Sequence, residues 1–363
     1  MHIMHVAGAL RGGPIRAIAD WTSTQVRFGH KVSLVYSLSR DPIETFRGEL
    51  SSEIKLHGID MPREIVWRLD LKACRDLIAL IRHVRPDVIH LHSSKAGAVG
   101  RVAARICNVP SVYSPHGLSY LRTDVGRPSR ALYFALEYCG AMIGSCTVAC
   151  SPSERDKLRW IPGYKGMIPN GIALDELPSL GVEDRQLNDA VNVIICGRIA
   201  AQKDPELACE IAAASPPHWR WHWIGDGEMR EAVEKGGRIQ VLGWLPREQV
   251  LDHMRRADIL VHTSKWEGMP IAILEGMALG LPIVASNGTG TSDLIVAGET
   301  GYLAASVQEF RSALNRLAAS ADLRRRMGLA GRDRVEEVFD QRKLSVRWLE
   351  VYKCLLSRDH PRF

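Results

Sequence analysis

The chain has 363 residues, of which 46% are apolar and 24% are charged, and its net charge is +6. A single hydrophobic core stops growing near about 250–300 residues, so this length predicts two domains. The composition is that of an ordinary globular protein and excludes a disordered or fibrous chain. The eight cysteines include no Cys-x-x-Cys pair, which indicates buried thiols in a reducing compartment rather than a metal site.

The chain shows no membrane-inserted segment. Residues 1–6 are too short for a signal peptide, and the apolar stretch 131–150 is interrupted by Glu137 and Gly140. Charge is uneven, because residues 1–170 carry 23 Lys and Arg against 14 Asp and Glu, whereas residues 171–363 carry 24 against 27. The basic first half predicts contact with anionic lipid or a phosphorylated acceptor, although an ordinary solvated surface explains it equally well.

The first half alternates short apolar runs with amphipathic stretches, which predicts βαβ units on a parallel sheet. The turn after the first strand contains Gly12, Gly13 and Pro14. Glycines let the backbone approach a ligand closely, and proline suits the first position of a helix. Ser151 is expected to cap a helix that begins at Pro152. Strands are predicted at residues 2–7, 31–36, 52–57, 86–92, 111–115 and 147–151, the last closing this half, and helices at residues 69–84 and 130–144.

Polar residues follow two of these strands at the edge where parallel sheets bind ligands. The run from His92 to Gly97, which includes Ser94 and Lys95, is expected to form a turn before a helix. His116 ends another strand and is followed by Gly117 and a predicted loop to residue 130. A lone histidine is more often structural, so both interpretations stay open for His116 from its position alone.

The second half restarts the alternation with an apolar strand at residues 191–197, followed by Arg198 and Lys203. Fixed cations stabilise the charge that develops on a diphosphate leaving group, so these two residues are candidates for binding a diphosphate. The alternative is that both are ordinary solvated side chains of a loop. Later strands are predicted at residues 219–224, 239–243, 258–262 and 281–285, with a hairpin-like return at residues 298–303. Helices are predicted at residues 307–339 and 343–356.

The stretch from residue 264 to 280 is expected to be a loop that runs into a helix. Gly268 and Pro270 lie at the helix start, where free N–H groups and the helix dipole favour an anion. Glu267 lies in the loop and Glu275 in the helix. Because this helix carries few charges, we expect it to be packed on both sides, so that Glu275 needs a partner. Two solvated acids are the alternative.

The spacing of Glu267 and Glu275 resembles the Glu-x7-Glu signature of retaining glycosyltransferases of family 4. Arg198 and Lys203 match that family's Gly-Arg-x4-Lys diphosphate clamp, and residues 225–227 match its Gly-Asp-Gly turn. The resemblance implies an α/β GT-B fold with two facing Rossmann-like, doubly wound domains. It implies an N-terminal acceptor-binding domain at 1–172, a C-terminal nucleotide-sugar-binding domain at 173–340, and a C-terminal helix at 341–363 that crosses back to the N-terminal domain.

The resemblance also implies roles for individual residues. Glu267 and His116 orient the donor sugar, while Arg198 and Lys203 hold the diphosphate; these four are the expected catalytic residues. Glu275 holds the ribose, and Gly243 and Trp244 lie beside the base, although Trp244 is equally explained by packing. The other expected donor-binding residues are Gly12, Gly13, Gly268, Met269, Pro270 and Ile271. Similarity to bacterial members that extend lipid-linked sugars indicates His92, Ser94 and Lys95 on the acceptor side.

The implied activity is transfer of a sugar, with retained anomeric configuration, from a UDP- or GDP-sugar to a hydroxyl of a glycan acceptor. The expected acceptor is linked to polyprenyl diphosphate and belongs to polysaccharide or cell-envelope glycan synthesis. No Asp-x-Asp motif is present, so neither a metal nor a cofactor is expected, and no nucleic-acid partner is predicted. The expected location is cytoplasmic, peripheral on the inner face of the plasma membrane.

Two other functions remain open at the level of the sequence. One is a nucleotide-sugar epimerase of the same fold, which needs no acceptor. The other is a non-catalytic basic module that binds polyanions or membrane. A dehydrogenase is disfavoured, because the run that starts at Gly225 has Arg230 where a dinucleotide-binding fingerprint requires glycine.

Overall fold

The computed structural model describes residues 1–8, 10, 13–40, 47–62, 64–178 and 190–357. The chain divides into two compact units, Met1–Gly171 with Gln341–Phe363, and Ile172–Asp340. The domain boundaries predicted from the sequence, after residues 172 and 340, lie within one residue of these divisions. Among the described residues, no helix combines the length and the apolar character needed to cross a bilayer.

The first unit is built on a seven-stranded sheet in the order β3-β2-β1-β4-β5-β6-β7, and every neighbouring pair is parallel. The central strands are buried along their length, as expected of a parallel sheet covered on both faces. The strands are β1 (His2–Ala7), β2 (Lys31–Ser37), β3 (Lys55–Ile59), β4 (Val88–His92), β5 (Ser111–Ser114), β6 (Cys146–Ala149) and β7 (Lys165–Met167).

Helices of the first unit follow the predicted pattern of apolar residues. In α2, Ala73, Leu77 and Ile81 repeat every four residues and are buried on one face. Ser151 Oγ accepts a hydrogen bond from Glu154 N at 3.1 Å, which confirms the predicted cap of α5. The helices are α1 (Gly13–Arg27), α2 (Trp67–Val84), α3 (Ser93–Cys107), α4 (Arg127–Met142) and α5 (Pro152–Lys157).

The second unit has a six-stranded parallel sheet in the order β10-β9-β8-β11-β12-β13. Aliphatic and tryptophan side chains of its strands and helices form a hydrophobic cluster in its core. The strands are β8 (Asn192–Cys196), β9 (Arg220–Ile224), β10 (Ile239–Gly243), β11 (Ile259–His262), β12 (Ile283–Ser286) and β13 (Gly301–Ala304). The helices are α6 (Pro205–Ala213), α7 (Arg230–Lys235), α8 (Arg247–Arg256), α9 (Ile271–Ala278), α10 (Val307–Ala318) and α11 (Ala321–Val338).

The last helix, α12 (Gln341–Ser357), belongs to the first unit and packs against α1. Trp348 and Tyr352 are buried there, and Arg347 NH2 donates to Met167 O at 3.1 Å. This confirms the predicted C-terminal helix that crosses back, and two parallel Rossmann-like sheets confirm the predicted fold class.

Several local predictions need correction. The run from His92 to Gly97 is not a separate turn, because α3 begins at Ser93, whose φ of 72° absorbs the change of direction. Residues 298–303 do not form a hairpin, since β13 pairs in parallel with β12. β6 is not the last strand of its half, because β7 follows at the sheet edge. The predicted loop to residue 130 ends at Arg127, where α4 begins.

Candidate active site

The order of strands reverses between β1 and β4 in the first sheet and between β8 and β11 in the second. Ligands of open parallel sheets bind outside the carboxyl ends of the strands at such a reversal. In the second unit, the loops after β8 and β11 carry Lys203 and Glu267. In the first unit, β4 ends at His92. Lys203, Glu267 and His92 therefore lie at the reversal points of their units.

Lys203 and Glu267 form a largely buried ion pair in the second unit. Lys203 Nζ donates to Glu267 Oε1 at 2.6 Å, and the two side chains are 17% and 11% exposed. Gln202 Nε2 donates to Trp266 O at 2.9 Å and to Glu267 Oε2 at 3.3 Å. His262 Nε2 lies 3.4 Å from Glu267 Oε1 without the geometry of a hydrogen bond. The carboxylate is thus held from several sides.

The pKa of Glu267 results from opposing effects. Burial alone would raise the pKa, but the charge of Lys203 and the adjacent His262 ring outweigh it and hold the pKa of Glu267 at about 2. Burial and the charge of Lys203 also lower the pKa of His262. At neutral pH, Glu267 is therefore an ionised hydrogen-bond acceptor rather than a general acid.

Glu275 lies on the buried side of α9, where 7% of the residue is exposed. Its Oε1 accepts a hydrogen bond from Arg247 NH1, at the start of α8. A carboxylate on a helix that is packed on both sides does have a partner, as predicted. The partner itself, Arg247, was not identified from the sequence.

Lys203 and Glu275 both act on the carboxyl end of β8. The last residue of that strand, Cys196, is buried, and burial raises the pKa of its thiol. The charge of Glu275 raises that pKa further, and the charge of Lys203 opposes the rise. The two charges therefore share one neighbourhood although they belong to separate ion pairs.

Arg198 does not contact either of these groups. Its Nε donates to Glu228 Oε2 at 3.0 Å, and both side chains of this pair are about half exposed. The expected direct convergence of Arg198, Lys203 and Glu275 is therefore not seen, because each of the three has its own counter-ion. An exposed ion pair contributes only about 0–1 kcal/mol, so little free energy keeps Arg198 at Glu228.

The Gly-Asp-Gly turn fits against the backbone that precedes Arg198. A Cβ on Gly225 would lie 2.1 Å from Gly197 O, so no other residue type fits without displacing the chain. Trp223 Nε1 donates to the same carbonyl oxygen at 2.8 Å. These contacts fix the direction in which the loop leaves β8.

The start of α9 is packed and uncapped. The helix begins at Ile271, no side chain caps it, and Met269 and Ile271 are each 5% exposed. Pro270 precedes the first helical residue, as the sequence predicted. Gly290, with φ of 77°, packs closely against the loop that precedes α9, since a Cβ there would lie 2.3 Å from Gly268 O. The positive end of the helix dipole is thereby fixed in position.

Gly243 and Trp244 lie at the carboxyl end of β10. Gly243 has φ of 74°, and its carbonyl oxygen accepts from Gly225 N at 2.9 Å. Trp244 is 50% exposed and is not part of the core of this unit. That exposure disfavours the interpretation of Trp244 as a packing residue.

In the first unit, His116 ends a continuous chain of hydrogen bonds. His116 Nε2 lies 3.0 Å from His92 Nδ1, His92 Nε2 lies 2.9 Å from His5 Nδ1, and His5 Nε2 lies 2.8 Å from Gln25 Oε1. Burial lowers the pKa of His5 and of His116 to about 4. Burial also lowers the pKa of His92, as do the neighbouring histidines. The chain is therefore uncharged at neutral pH.

This arrangement corrects the prediction for His92. The residue is 2% exposed and both of its ring nitrogens are hydrogen-bonded within the unit, so it supports His116 rather than facing an acceptor. His116 has φ of 54°, and the following Gly117 N donates to buried Glu154 Oε1 at 2.7 Å. Such backbone strain costs about 1–3 kcal/mol and clusters at functional sites.

Ser94 and Lys95 lie in the first turn of α3 and are half-buried. Ser94 Oγ is 2.7 Å from Ser119 Oγ. Lys95 Nζ donates to Glu64 O and to Asp70 Oδ1, both at 2.7 Å. Both predicted acceptor residues are thus held by neighbouring segments.

The glycine turn after β1 is only partly described. Gly12 lies outside the described residues, and Gly13 is the first residue of α1. The helix therefore starts close to the carboxyl end of β1, as the sequence predicted.

Three buried histidines, His5, His90 and His92, offer ring nitrogens within 4.8 Å of one another. All of these nitrogens have protein partners, since His90 Nδ1 lies 2.7 Å from Tyr352 Oη and His90 Nε2 lies 2.9 Å from Ser114 Oγ. A metal ion would have to displace these hydrogen bonds. The residues fit a hydrogen-bonded network better than a metal site, and independence from metal stays a prediction.

Sequence reasoning missed two supporting groups. Arg247 has no local signal, because its contact depends on how α8 packs against α9. The histidine chain does have a sequence signal, since His90 and His92 are two residues apart on a buried strand and therefore share a face of the sheet. Strand pairing then places His5 beside His90.

Comparisons with known proteins identify the family of the chain. The family model "Glycosyl transferase 4-like domain" matches residues 12–171, and the model "Glycosyl transferases group 1" matches residues 183–334. A UDP-Gal:alpha-D-GlcNAc-diphosphoundecaprenol alpha-1,3-galactosyltransferase of Escherichia coli is 29% identical over 267 residues, covering 66% of this chain and 68% of the relative. The capsular polysaccharide biosynthesis glycosyltransferase CapM of Staphylococcus aureus is 26% identical over 329 residues, covering 83% and 85%.

Solved structures show the same fold. A sucrose-phosphate synthase from Thermosynechococcus elongatus matches with a TM-score of 0.87 at 19% identity, covering 99% of this chain and 100% of that one. HepE of Anabaena, in complex with UDP and glucose, matches with a TM-score of 0.80 at 18% identity, covering 97% and 99%. The fold and the site define a GT-B glycosyltransferase. The chain belongs to the family-4 type of these enzymes, since the two family models together span most of it.

Proposed function

We propose that the protein transfers a sugar from a nucleoside diphosphate sugar to a hydroxyl of a glycan acceptor, with retention of anomeric configuration. The observation that carries the proposal is the buried Lys203–Glu267 pair at the reversal point of the second sheet, together with the buried carboxylate of Glu275 in the same unit. A cation suits a diphosphate, and two carboxylates suit the hydroxyls of a sugar and a ribose.

The diphosphate of the donor binds to Lys203 and Arg198. Arg198 leaves its exposed partner Glu228 at little cost, and the uncapped start of α9 adds the positive end of a helix dipole. Glu275 accepts hydrogen bonds from the ribose hydroxyls, and Trp244 lies beside the base. No metal is required for this arrangement of charges.

Glu267 orients the donor sugar in the second unit, and His116 of the first unit is proposed to accept from a substrate hydroxyl. With a pKa of about 2, held down by Lys203 against the effect of burial, Glu267 is ionised but weakly basic. A weak base is a poor nucleophile, which supports departure of the diphosphate and attack by the acceptor hydroxyl on the same face. Neither step forms a covalent bond to the enzyme.

The donor nucleotide that the relatives support is UDP. The Escherichia coli relative is named for UDP-Gal, and HepE of Anabaena binds UDP. The same relative is named for a diphosphoundecaprenol-linked acceptor, and CapM is named for capsular polysaccharide. We therefore propose a lipid-linked glycan of polysaccharide or cell-envelope synthesis as the acceptor.

The outward face of α4 supports an acceptor in a membrane. Glu137, the acidic residue of this helix, is buried and accepts hydrogen bonds from Arg101 NH1 at 3.3 Å and from Tyr113 Oη at 2.7 Å. A helix that faces water has the opposite distribution. The exposed positions after residue 130 carry no charge; they are Ala131, Leu132, Ala135, Leu136, Tyr138, Cys139 and Met142.

The charges around this face favour an anionic bilayer. Between Asp124 and Asp156 the acids are Glu137 and Glu154, and both are buried. The exposed charges of that segment are those of arginines: Arg127, Arg130 and Arg155. An uncharged helix face with a cationic rim suits peripheral binding to anionic lipid. We place this face on the inner leaflet of the plasma membrane, with the protein on the cytoplasmic side.

Activity is tested by following the release of UDP from a panel of UDP-sugars. Release is expected only when a polyprenyl-diphosphate-linked glycan is supplied, and the anomeric configuration of the product is read by NMR. Conversion of the UDP-sugar into its epimer without an acceptor and without release of UDP would support an epimerase instead. Inversion at the anomeric carbon would contradict retention.

Membrane contact is tested by co-sedimentation with phosphatidylcholine vesicles that contain or lack phosphatidylglycerol. The wild type and Val346→Glu are expected to bind the anionic vesicles, because Val346 is an exposed apolar residue of α12 rather than of α4. Leu136→Glu is expected to lose binding. No binding by the wild type would contradict membrane contact. A dimer in solution that Leu136→Glu dissociates would assign this face to a second copy of the chain.

A further inference from the structure

A neutral imidazole carries one N–H group and one lone pair. Each ring in the chain from Gln25 through His5 and His92 to His116 therefore donates on one side and accepts on the other. All of these rings are neutral at physiological pH, because burial lowers the pKa of each. The direction of the hydrogen bond at one end of the chain therefore determines the tautomer of every ring.

The buried end of the chain is fixed by the amide of Gln25. Its Oε1 faces His5 Nε2 at 2.8 Å. An amide oxygen accepts hydrogen bonds and cannot donate one, so His5 Nε2 is the donor in this contact. The Gln25 carbonyl oxygen therefore sets the direction of the first hydrogen bond in the chain.

The orientation of Gln25 propagates outward. His5 Nε2 donates to Gln25, so His5 Nδ1 accepts from His92 Nε2 at 2.9 Å. His92 Nδ1 then accepts from His116 Nε2 at 3.0 Å. His116 is left with an unprotonated Nδ1, which forms no hydrogen bond within the described part of the chain, and the residue is only partly buried.

We propose that Gln25 is a positioning residue that sets the tautomer of His116 through His5 and His92. As a result, His116 Nδ1 accepts a hydrogen bond from a substrate hydroxyl and does not donate one. The contact with substrate rests on the function proposed above, whereas the tautomer is a property of the free protein. This gives His92 a role in place of the acceptor contact first expected of it.

A separate hydrogen-bonded chain through His90 provides a matched control. Tyr352 Oη lies 2.7 Å from His90 Nδ1, and His90 Nε2 lies 2.9 Å from Ser114 Oγ. Ser114→Ala removes a hydroxyl of this second chain and leaves Gln25 in place.

The tautomers are measured by long-range ¹H–¹⁵N NMR of the whole protein labelled in its histidine rings, with the signal of His116 assigned by its loss in His116→Asn. The wild type and Ser114→Ala are expected to show His116 protonated at Nε2. Gln25→Met is expected to show a form protonated at Nδ1. Protonation at Nδ1 in the wild type, or an unchanged His116 signal in Gln25→Met, would overturn the proposal.

Kinetics separate this role from a purely structural one. Gln25→Met is expected to lower kcat/KM about tenfold, which corresponds to one net hydrogen bond. In a His116→Ala background, the same change is expected to have no further effect. If Gln25→Met lowered kcat/KM by the same factor in the His116→Ala background as in the wild type, the proposed connection from Gln25 to His116 would be contradicted. Absence of any acceptor-dependent transfer, with the tautomers as described, would instead contradict the proposed function alone.

Discussion

Replacing Lys203 by methionine is expected to reverse the pH dependence of the stability that Glu267 contributes. In the wild type, Lys203 outweighs the effect of burial and holds the pKa of Glu267 at about 2, against an ordinary value of 4.5. This difference corresponds to about 3 kcal/mol in the free energy of unfolding. Because the folded pKa is the lower one, the contribution is complete above about pH 4.5 and is lost as the pH falls through about 2.

Methionine keeps the length of the lysine side chain and removes its charge. Burial, the largest single influence on this carboxyl, then outweighs the neighbouring His262 ring and Gln202 amide, so the pKa of Glu267 in the folded variant is expected to rise above 4.5. The folded variant binds the proton more tightly than the unfolded chain does, and stability therefore falls as the pH rises from about 4.5 through the raised pKa. Removing one partner of a buried pair costs about 3–5 kcal/mol, which sets the expected loss near neutral pH.

The assay is urea unfolding of the wild type, Lys203→Met and the double variant Lys203→Met/Glu267→Gln over a series of pH values. The difference between the wild type and the single variant should grow as the pH rises, and the difference between the wild type and the double variant should stay nearly constant above about pH 5. Parallel pH curves for the wild type and Lys203→Met would refute the reasoning.

Three further predictions concern the same unit. Glu275→Gln removes the charge of the carboxylate that accepts from Arg247, so we expect a raised KM for the donor and a lower free energy of unfolding; an unchanged KM would contradict the ribose contact. Gly290→Ala puts a Cβ 2.3 Å from Gly268 O at a φ of 77°, so urea unfolding should show a loss of about 1–3 kcal/mol, and no loss would contradict the close packing. UDP at about 100 times its dissociation constant should stabilise the wild type by about 2.7 kcal/mol in thermal or urea unfolding. GDP at the same concentration should have less effect, and equal stabilisation would contradict the preference for UDP.

The period of apolar residues was sufficient to predict two parallel sheets, because buried strands and amphipathic helices alternate over nearly the whole chain. It failed where pairing is not local. Gly298 and Gly301 resemble the ends of a hairpin turn, but β13 pairs with β12 in a register that begins at Ile283 and Gly301. It also failed at Ser93, where a single residue of positive φ joins β4 directly to α3.

Motif spacing located the residues of the site but not their partners. Lys203 and Glu267 are 64 residues apart and were both identified, because each lies in a recognisable motif that follows a predicted strand. Arg247, which pairs with Glu275, and Gln25, which orients His5, belong to ordinary amphipathic helices. Their roles arise only when those helices pack, and no pattern within one element specifies that.

The central claim is that one donor diphosphate is held by the second unit. Its most direct test is a crystal structure of the protein with UDP. We expect the β-phosphate within hydrogen-bonding distance of Lys203 Nζ, Arg198 turned from Glu228 toward the diphosphate, and a ribose hydroxyl on Glu275. UDP bound away from these residues, or bound with Arg198 still on Glu228 and Glu275 in contact with Arg247 alone, would contradict the account.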